Sequence, residues 1–196
     1  MRLGIMCSGN GTNFENIVTN PICNTHEVVL MIHNTKECGA VKRAAKWGIP
    51  HVRIPHKDED KMVLMMEVYH VDLIILAGYM RVIKNPNSFP APMINIHPSL
   101  LPKYKGLHAV EQALKNKDDQ TGVSVHYVNE ELDGGEIIMQ QTVPILPNDN
   151  IHTLTKAIQR IEYGILPAAI EHINTLTQGN SVNRTIVQDL QQSKAS

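Results

Sequence analysis

Asn95 and His97 stand two residues apart in the stretch MINIHPSLLPKYKG, residues 93–106. Both side chains hydrogen-bond, and an imidazole also moves protons. On a strand they point the same way, while Ile96 between them points into the core. Pro98 stops the strand at once. The two polar groups therefore sit where a strand gives way to a loop, a place where sites are assembled. A carboxylate follows at Asp133 in ELDGGEII, where Gly134 and Gly135 are expected to form a tight turn that lifts it to the same sheet edge. Beside His97 that carboxylate would favour the imidazolium form. An imidazolium can stabilise or protonate a developing oxyanion, and the Asn95 carboxamide N–H can donate to the same oxygen. No serine or cysteine sits at an obvious nucleophile position. The set suits direct acyl transfer between two bound substrates: hold the amine, polarise the carbonyl, move the proton. The plainer alternative is a loop fixed by Asn95 and His97 beside an ordinary Asp-Gly-Gly turn. A metal site is not expected, because His97, His126 and Asp133 lack zinc-ligand spacing. His108, in KGLHAVEQAL, is expected to help start a helix.

A second polar segment, CSGNGTN at residues 7–13, lies between a first strand and a first helix. Gly9 and Gly11 permit tight turns and close approach of backbone N–H groups to an anion, and the helix N-terminus adds its dipole. Thr12 and Asn13 supply a hydroxyl and an amide. A phosphate fits such a loop. No Gly-Lys-Ser/Thr follows, so it is not a P-loop. Phe14 stands where a dinucleotide fingerprint needs its third glycine. The alternative is an ordinary strand-to-helix turn.

The elements that must position these groups are legible in the pattern. RLGIMC, EVVLMIH (Glu27–His33), IPHVRIP, DLIILAG and MINIH read as strands. Helices are expected from Thr12 or Asn13, in ECGAVKRAAKWG, and in DEDKMVLMMEVYHV. This alternation argues for an α/β fold with a doubly wound, mostly parallel sheet. TGVSVHYVN and EIIMQQTVPI have no helix between them and read as an antiparallel hairpin. A long helix over residues 150–177, bent at Pro167, is expected next, and then a tail that pairs briefly or frays.

The bulk numbers narrow the class. The 196 residues are 42% hydrophobic and carry a formal net charge of −1, which suits one domain, 1–196, with a real core. Without a basic excess, nucleic-acid binding is not expected. No apolar run approaches the ~18 residues of a membrane span. The start turns polar too soon for a signal peptide. Cys7, Cys23 and Cys38 suggest neither a disulfide framework nor a zinc knuckle, and a cytoplasmic protein, monomer or homodimer, is expected.

Taken together, SGNGTN, LAGYMRVI, INIHPSLLPKYKGLHAVEQAL, TGVSVHYVNEELDGGEII and VPI resemble the phosphoribosylglycinamide formyltransferases over nearly the whole chain. NIHPSLLP and ELDGG mark folate formyltransferases as a group, and SGNGTN points to the glycinamide ribonucleotide branch. The resemblance implies a Rossmann-like formyltransferase fold and transfer of formyl from 10-formyltetrahydrofolate to the glycyl amine of glycinamide ribonucleotide, without a metal. It implies that His97 donates a proton, that Asp133 favours its protonation and organises a relaying water, and that Asn95 binds the formyl oxygen. By the same likeness Gly11, Thr12 and Asn13 hold the substrate phosphate, and Glu162 contacts the ribonucleotide. Met80, Arg81, Val82 and Ile83 line the folate pocket together with Asn95. Asn129, Glu130, Glu131, Leu132 and Asp133 lie on the pterin's other side. Tyr104 and Lys105 fall in a loop expected to close over the site. One departure concerns the folate's glutamate tail. Family members carry an arginine before the helix that leads to DLIILAG, whereas IPHKDEDKM offers lysines only, and Lys57 lacks the bidentate fork.

Rival readings share parts of this equipment. A formyltetrahydrofolate hydrolase would be expected to carry an N-terminal regulatory domain, and a methionyl-tRNA formyltransferase a C-terminal RNA-binding domain and a basic surface. A sugar-nucleotide N-formyltransferase would share the trio but read a different substrate at the glycine loop. A non-catalytic phosphometabolite-binding module would leave the trio idle.

Overall fold

The computed structural model describes the backbone of residues 1–192 and the side chains of residues 1–179. Short apolar runs form seven strands: β1 (Arg2–Cys7), β2 (Glu27–His33), β3 (His51–Arg53), β4 (Leu73–Leu76), β5 (Met93–His97), β6 (Gln120–Tyr127) and β7 (Ile137–Pro144). Helices α1 (Thr12–Thr19), α2 (Gly39–Lys46) and α3 (Glu59–Val68) follow the first three strands. α4 (Ala109–Lys115) separates β5 from β6, and α5 (Ile151–Gln192) comes last. The sheet order is β3-β2-β1-β4-β5-β6-β7. Strands β3 to β5 pair in parallel, and β6 and β7 add an antiparallel hairpin at one edge, as the alternation predicts. The chain reverses direction across the sheet between β1 and β4. The crevice beyond the carboxyl ends of such strands is where open α/β sheets bind ligands.

Period-two alternation sorts two cores, one on each face of the sheet. Leu3, Ile5, Leu73, Ile75, Ile94 and Ile96 meet Phe14 and Ile17 of α1, Ala40 of α2 and Leu166 of α5. Met6, Ile74, Leu76 and Met93 meet Met62 and Met66 of α3 on the other face. Asn95 and His97 continue the Met93 row, and Ile96 sits in the opposite core as expected. Burying an apolar side chain there contributes about 1.5–3 kcal/mol. Two polar residues at the end of this row forgo that gain, which marks the position as chosen for something other than packing.

Two short 3-10 turns, at Pro21–Cys23 and Pro86–Ser88, go beyond what the pattern predicts; each carries proline in its first turn. The larger difference is α5, which is expected to end near residue 177 but runs through Pro167 to Gln192. Gly179 lowers helix propensity by only about 1 kcal/mol relative to alanine, and no proline follows to interrupt the chain. Residues 193–196 of the tail lie outside the described residues. α5 packs on α1, α4, β6 and β7, so it closes one face of the sheet beside the glycine loop.

Candidate active site

The carboxyl ends of β4 and β5 open into a cavity of about 600 Å³. Its wall includes Asn95, His97 and Asp133, and the three converge. The Asn95 Nδ2 donates to Asp133 Oδ1 at 3.3 Å, and His97 Nδ1 lies 3.4 Å from Asp133 Oδ2. His97 and Asp133 are each only 7% exposed at the side chain. Met80, Arg81, Val82 and Ile83 line the same cavity, as do Asn129, Glu130, Glu131 and Leu132. Asn13 and Glu162 line it too, and Asn13 Nδ2 donates to Glu162 Oε2 at 2.9 Å across α1 and α5. Gly11 caps α1 at φ 71° and Thr12 opens the helix, but neither lines the cavity. Among the described residues Arg81 is the only lysine or arginine on the wall; Lys57 is not there.

Backbone groups fix His97 and Asp133. The Tyr104 carbonyl lies 2.8 Å from His97 Nε2. A carbonyl only accepts, so Nε2 carries its hydrogen, and a second proton, on Nδ1, would face Asp133. Tyr104 itself is held in a left-handed conformation, φ 57°. Its hydroxyl donates to Asp118 at 2.8 Å and accepts from Asn116 at 2.7 Å. The Gly106 N–H then reaches Asp133 Oδ2 at 2.7 Å. The loop after β5 thus grips both members of the pair.

Burial by itself would raise the Asp133 carboxyl. The His126 ring beside it, the Gly106 N–H that donates to it and the nearby His97 outweigh that and hold it below its ordinary 3.8. At neutral pH Asp133 is therefore an acceptor and an anion. Glu162 shifts the other way: burial pushes it up, and the Asn13 hydrogen bond offsets only part of this.

The Asp133 turn differs from expectation in one respect. The glycines were expected to supply its backbone freedom, yet Asp133 itself takes the left-handed conformation, φ 48°. Gly135 is required for a different reason: a Cβ there would run into the Tyr127 carbonyl oxygen and lie 2.7 Å from its carbon.

His126 is a member of the site that sequence reasoning set aside. It pairs directly across from Asn95 in the β5–β6 register. Its Nδ1 faces the Tyr127 carbonyl at 2.7 Å, so that nitrogen donates and Nε2 is left to accept from Asn95 Nδ2 at 3.2 Å. Nε2 also lies 3.5 Å from Asp133 Oδ1. The one signal available earlier was that His126 falls on a strand of the predicted hairpin.

A family model described as formyl transferase matches residues 1–170. The chain belongs to the formyl transferase family. It is similar to the phosphoribosylglycinamide formyltransferase of Escherichia coli strain K12, at 36% identity over 87% of this chain and 85% of that one. It is also similar to the trifunctional purine biosynthetic protein adenosine-3 of Drosophila melanogaster, at 38% identity over 86% of this chain, but it spans only 14% of that protein's length. The crystal structure of phosphoribosylglycinamide formyltransferase from Bacillus halodurans superposes with a TM-score of 0.83 at 35% identity, covering 88% of this chain and 95% of that one. The corresponding enzyme structure from Anaplasma phagocytophilum gives 0.84 at 35% identity, covering 88% and 86%.

A folate-type formyl donor goes with this family, and one further residue of this formyl transferase bears on the cavity wall formed by Met80 to Ile83. Glu59, at the start of α3, is buried and accepts from the backbone N–H groups of Lys84 at 2.8 Å and Asn85 at 3.1 Å. These two residues directly follow Met80, Arg81, Val82 and Ile83. Glu59→Gln turns an amide donor toward one of those N–H groups. The expected cost is about 1–3 kcal/mol of stability, read by urea unfolding, with a raised KM for the formyl donor and little change in kcat. Among the described residues no helix is long and apolar enough to cross a membrane, and no group of His, Cys, Asp or Glu is arranged to hold a metal ion.

Proposed function

We propose that this chain transfers the formyl group of 10-formyltetrahydrofolate to the glycyl amine of glycinamide ribonucleotide, by direct attack and without a covalent acyl-enzyme. The observation that carries this reading is the single cavity whose wall holds Asn95, His97 and Asp133 together with Asn13, Glu162 and the Met80 segment. Among the described residues no serine or cysteine lines it, so the usual acyl-accepting nucleophiles are not on this wall.

The amine nitrogen attacks the formyl carbon, and the carbonyl electrons move to oxygen. The Asn95 amide then turns from Asp133 to donate to that oxygen, beside the His97 imidazolium. Collapse breaks the bond from the formyl carbon to folate N10, and His97 supplies the proton that N10 takes up. Asp133 orients His97 through Nδ1 and organises the water that carries the amine's proton away. Tetrahydrofolate and the formylated ribonucleotide leave.

Gly11, Thr12 and Asn13 receive the substrate phosphate, at a helix start whose N-cap, Gly11, has no side chain to occupy the free amides. Asn13 Oδ1 is buried without a hydrogen-bond partner. Glu162 accepts from the ribose hydroxyls. Met80, Arg81, Val82 and Ile83 and the segment from Asn129 to Asp133 enclose the pterin, and the glutamate tail meets Arg81 rather than Lys57. We read 1–196 as one formyltransferase domain, in monomer or homodimer form. Cys7, Cys23 and Cys38 are free and buried, which suits the cytoplasm.

The test offers the pure protein 10-formyltetrahydrofolate with glycinamide ribonucleotide, a nucleotide-sugar amine or water as acceptor, and follows folate product by absorbance. Turnover is expected with the ribonucleotide alone. Release of formate to water, or transfer to the sugar amine only, would replace this reading with one of its rivals.

A further inference from the structure

The loop that joins β1 to α1 has its carbonyl groups tied down on one side. The Ala40 N–H and the Cys38 thiol both donate to the Gly9 carbonyl at 3.2 Å. The Arg43 Nε donates to the Asn10 carbonyl at 2.8 Å. All three donors belong to α2 or its N-cap. In a trans peptide the C=O and the following N–H point in opposite directions. Carbonyls of Gly9 and Asn10 drawn toward α2 therefore turn the N–H groups of Asn10 and Gly11 away from it. Among the described residues no protein group accepts from the N–H groups of Asn10, Gly11, Thr12 or Asn13. Successive free amides turned to one side form an anion-binding concavity.

One residue works against an anion there. Glu15 lies in the first turn of α1, where a carboxylate occupies the positive end of the helix and repels a bound phosphate. α2 neutralises it. Arg43 Nη1 and Lys46 Nζ form ion pairs with the carboxylate, the latter at 3.3 Å, and Trp47 Nε1 lies within 3.4 Å. The Arg43 guanidinium thus spans both contacts, with Nε on the Asn10 carbonyl and Nη1 on Glu15. A lysine ammonium cannot divide itself this way.

We propose that Arg43 is a positioning residue for the ribonucleotide subsite: it aims the Gly11 amide into the phosphate cradle and cancels the Glu15 charge beside it. The inference rests on the phosphate role given above to residues 11–13. Arg43→Met is expected to raise the KM for glycinamide ribonucleotide about tenfold, with kcat and the KM for the formyl donor unchanged. Inorganic phosphate, used as a competitor of the ribonucleotide, should lose inhibition by the same factor. Arg43→Lys should recover thermal stability without recovering KM. Unchanged ribonucleotide KM and phosphate inhibition in Arg43→Met would overturn the proposal. So would equal losses in both KM values, kcat and melting temperature that lysine restores, since these mark a role in folding only. A failure of the functional reading looks different: wild-type protein would then form no formylated ribonucleotide. Calorimetric titration with inorganic phosphate would still decide for or against Arg43 in that case.

Discussion

Asp133→Asn is expected to lower kcat by about 10²-fold or more while the protein stays folded and both KM values hold. The side chain keeps its shape and can still accept from the Gly106 N–H with its remaining oxygen. The carboxylate's other partners fare worse. The new amide would face the Asn95 amide, donor toward donor, and His97 Nδ1 would lose its carboxylate partner. Steady-state kinetics beside a thermal melt separates the effects, and full turnover by a folded variant would remove Asp133 from the mechanism. The same carboxylate predicts a stability signature. Its native pKa lies below 3.8, so the stabilisation it gives is present in full above that pH and fades as pH falls through the lower native value. Wild type and Asp133→Asn should therefore differ in urea midpoint at neutral pH and converge in strong acid.

Gly135→Ala should do more structural damage than any other single methyl near the site. The added carbon meets the Tyr127 backbone, which cannot rotate away as a flexible side chain can. Tyr127 is fixed in turn, because its N–H donates to the Glu136 carbonyl at 2.9 Å. Either β6 or the Asp133 turn must shift. The expected loss is about 3 kcal/mol or more, the upper end of overpacking costs, together with most of the activity, since Asp133 precedes this residue by two positions. Gly9→Ala makes a control for stability, because a Cβ there meets nothing within 4 Å. Equal unfolding midpoints for Gly135→Ala and wild type would show that the turn is softer than its geometry implies.

The two variants test different layers of the site, and those layers were not equally legible. That Asn95 and His97 share a face follows from strand geometry alone, as does the burial of Ile96 opposite them. The parallel order through β5 and the antiparallel hairpin follow from where helices stand between strands and where they do not. His126 shows the limit. Its place beside Asn95 depends on the register of two strands whose paired residues are 31 apart, and no local pattern encodes that offset. Glu59 is similar: a carboxylate in the first turn of a helix reads as an ordinary helix feature until the chain at Lys84 and Asn85 folds onto it.

The sequence by itself determined the elements, their faces and the segments that meet at one sheet edge, because backbone geometry imposes periods of two and 3.6 residues on any chain that hides its apolar groups. Only the tertiary structure decided which atoms meet. The grip of the Tyr104 carbonyl on His97, the Gly106 amide on Asp133 and the left-handed backbone of Asp133 arise where loops from separate strands pack together. Hydrogen bonds there depend on positions set to a few tenths of an ångström, which residue type and spacing do not specify.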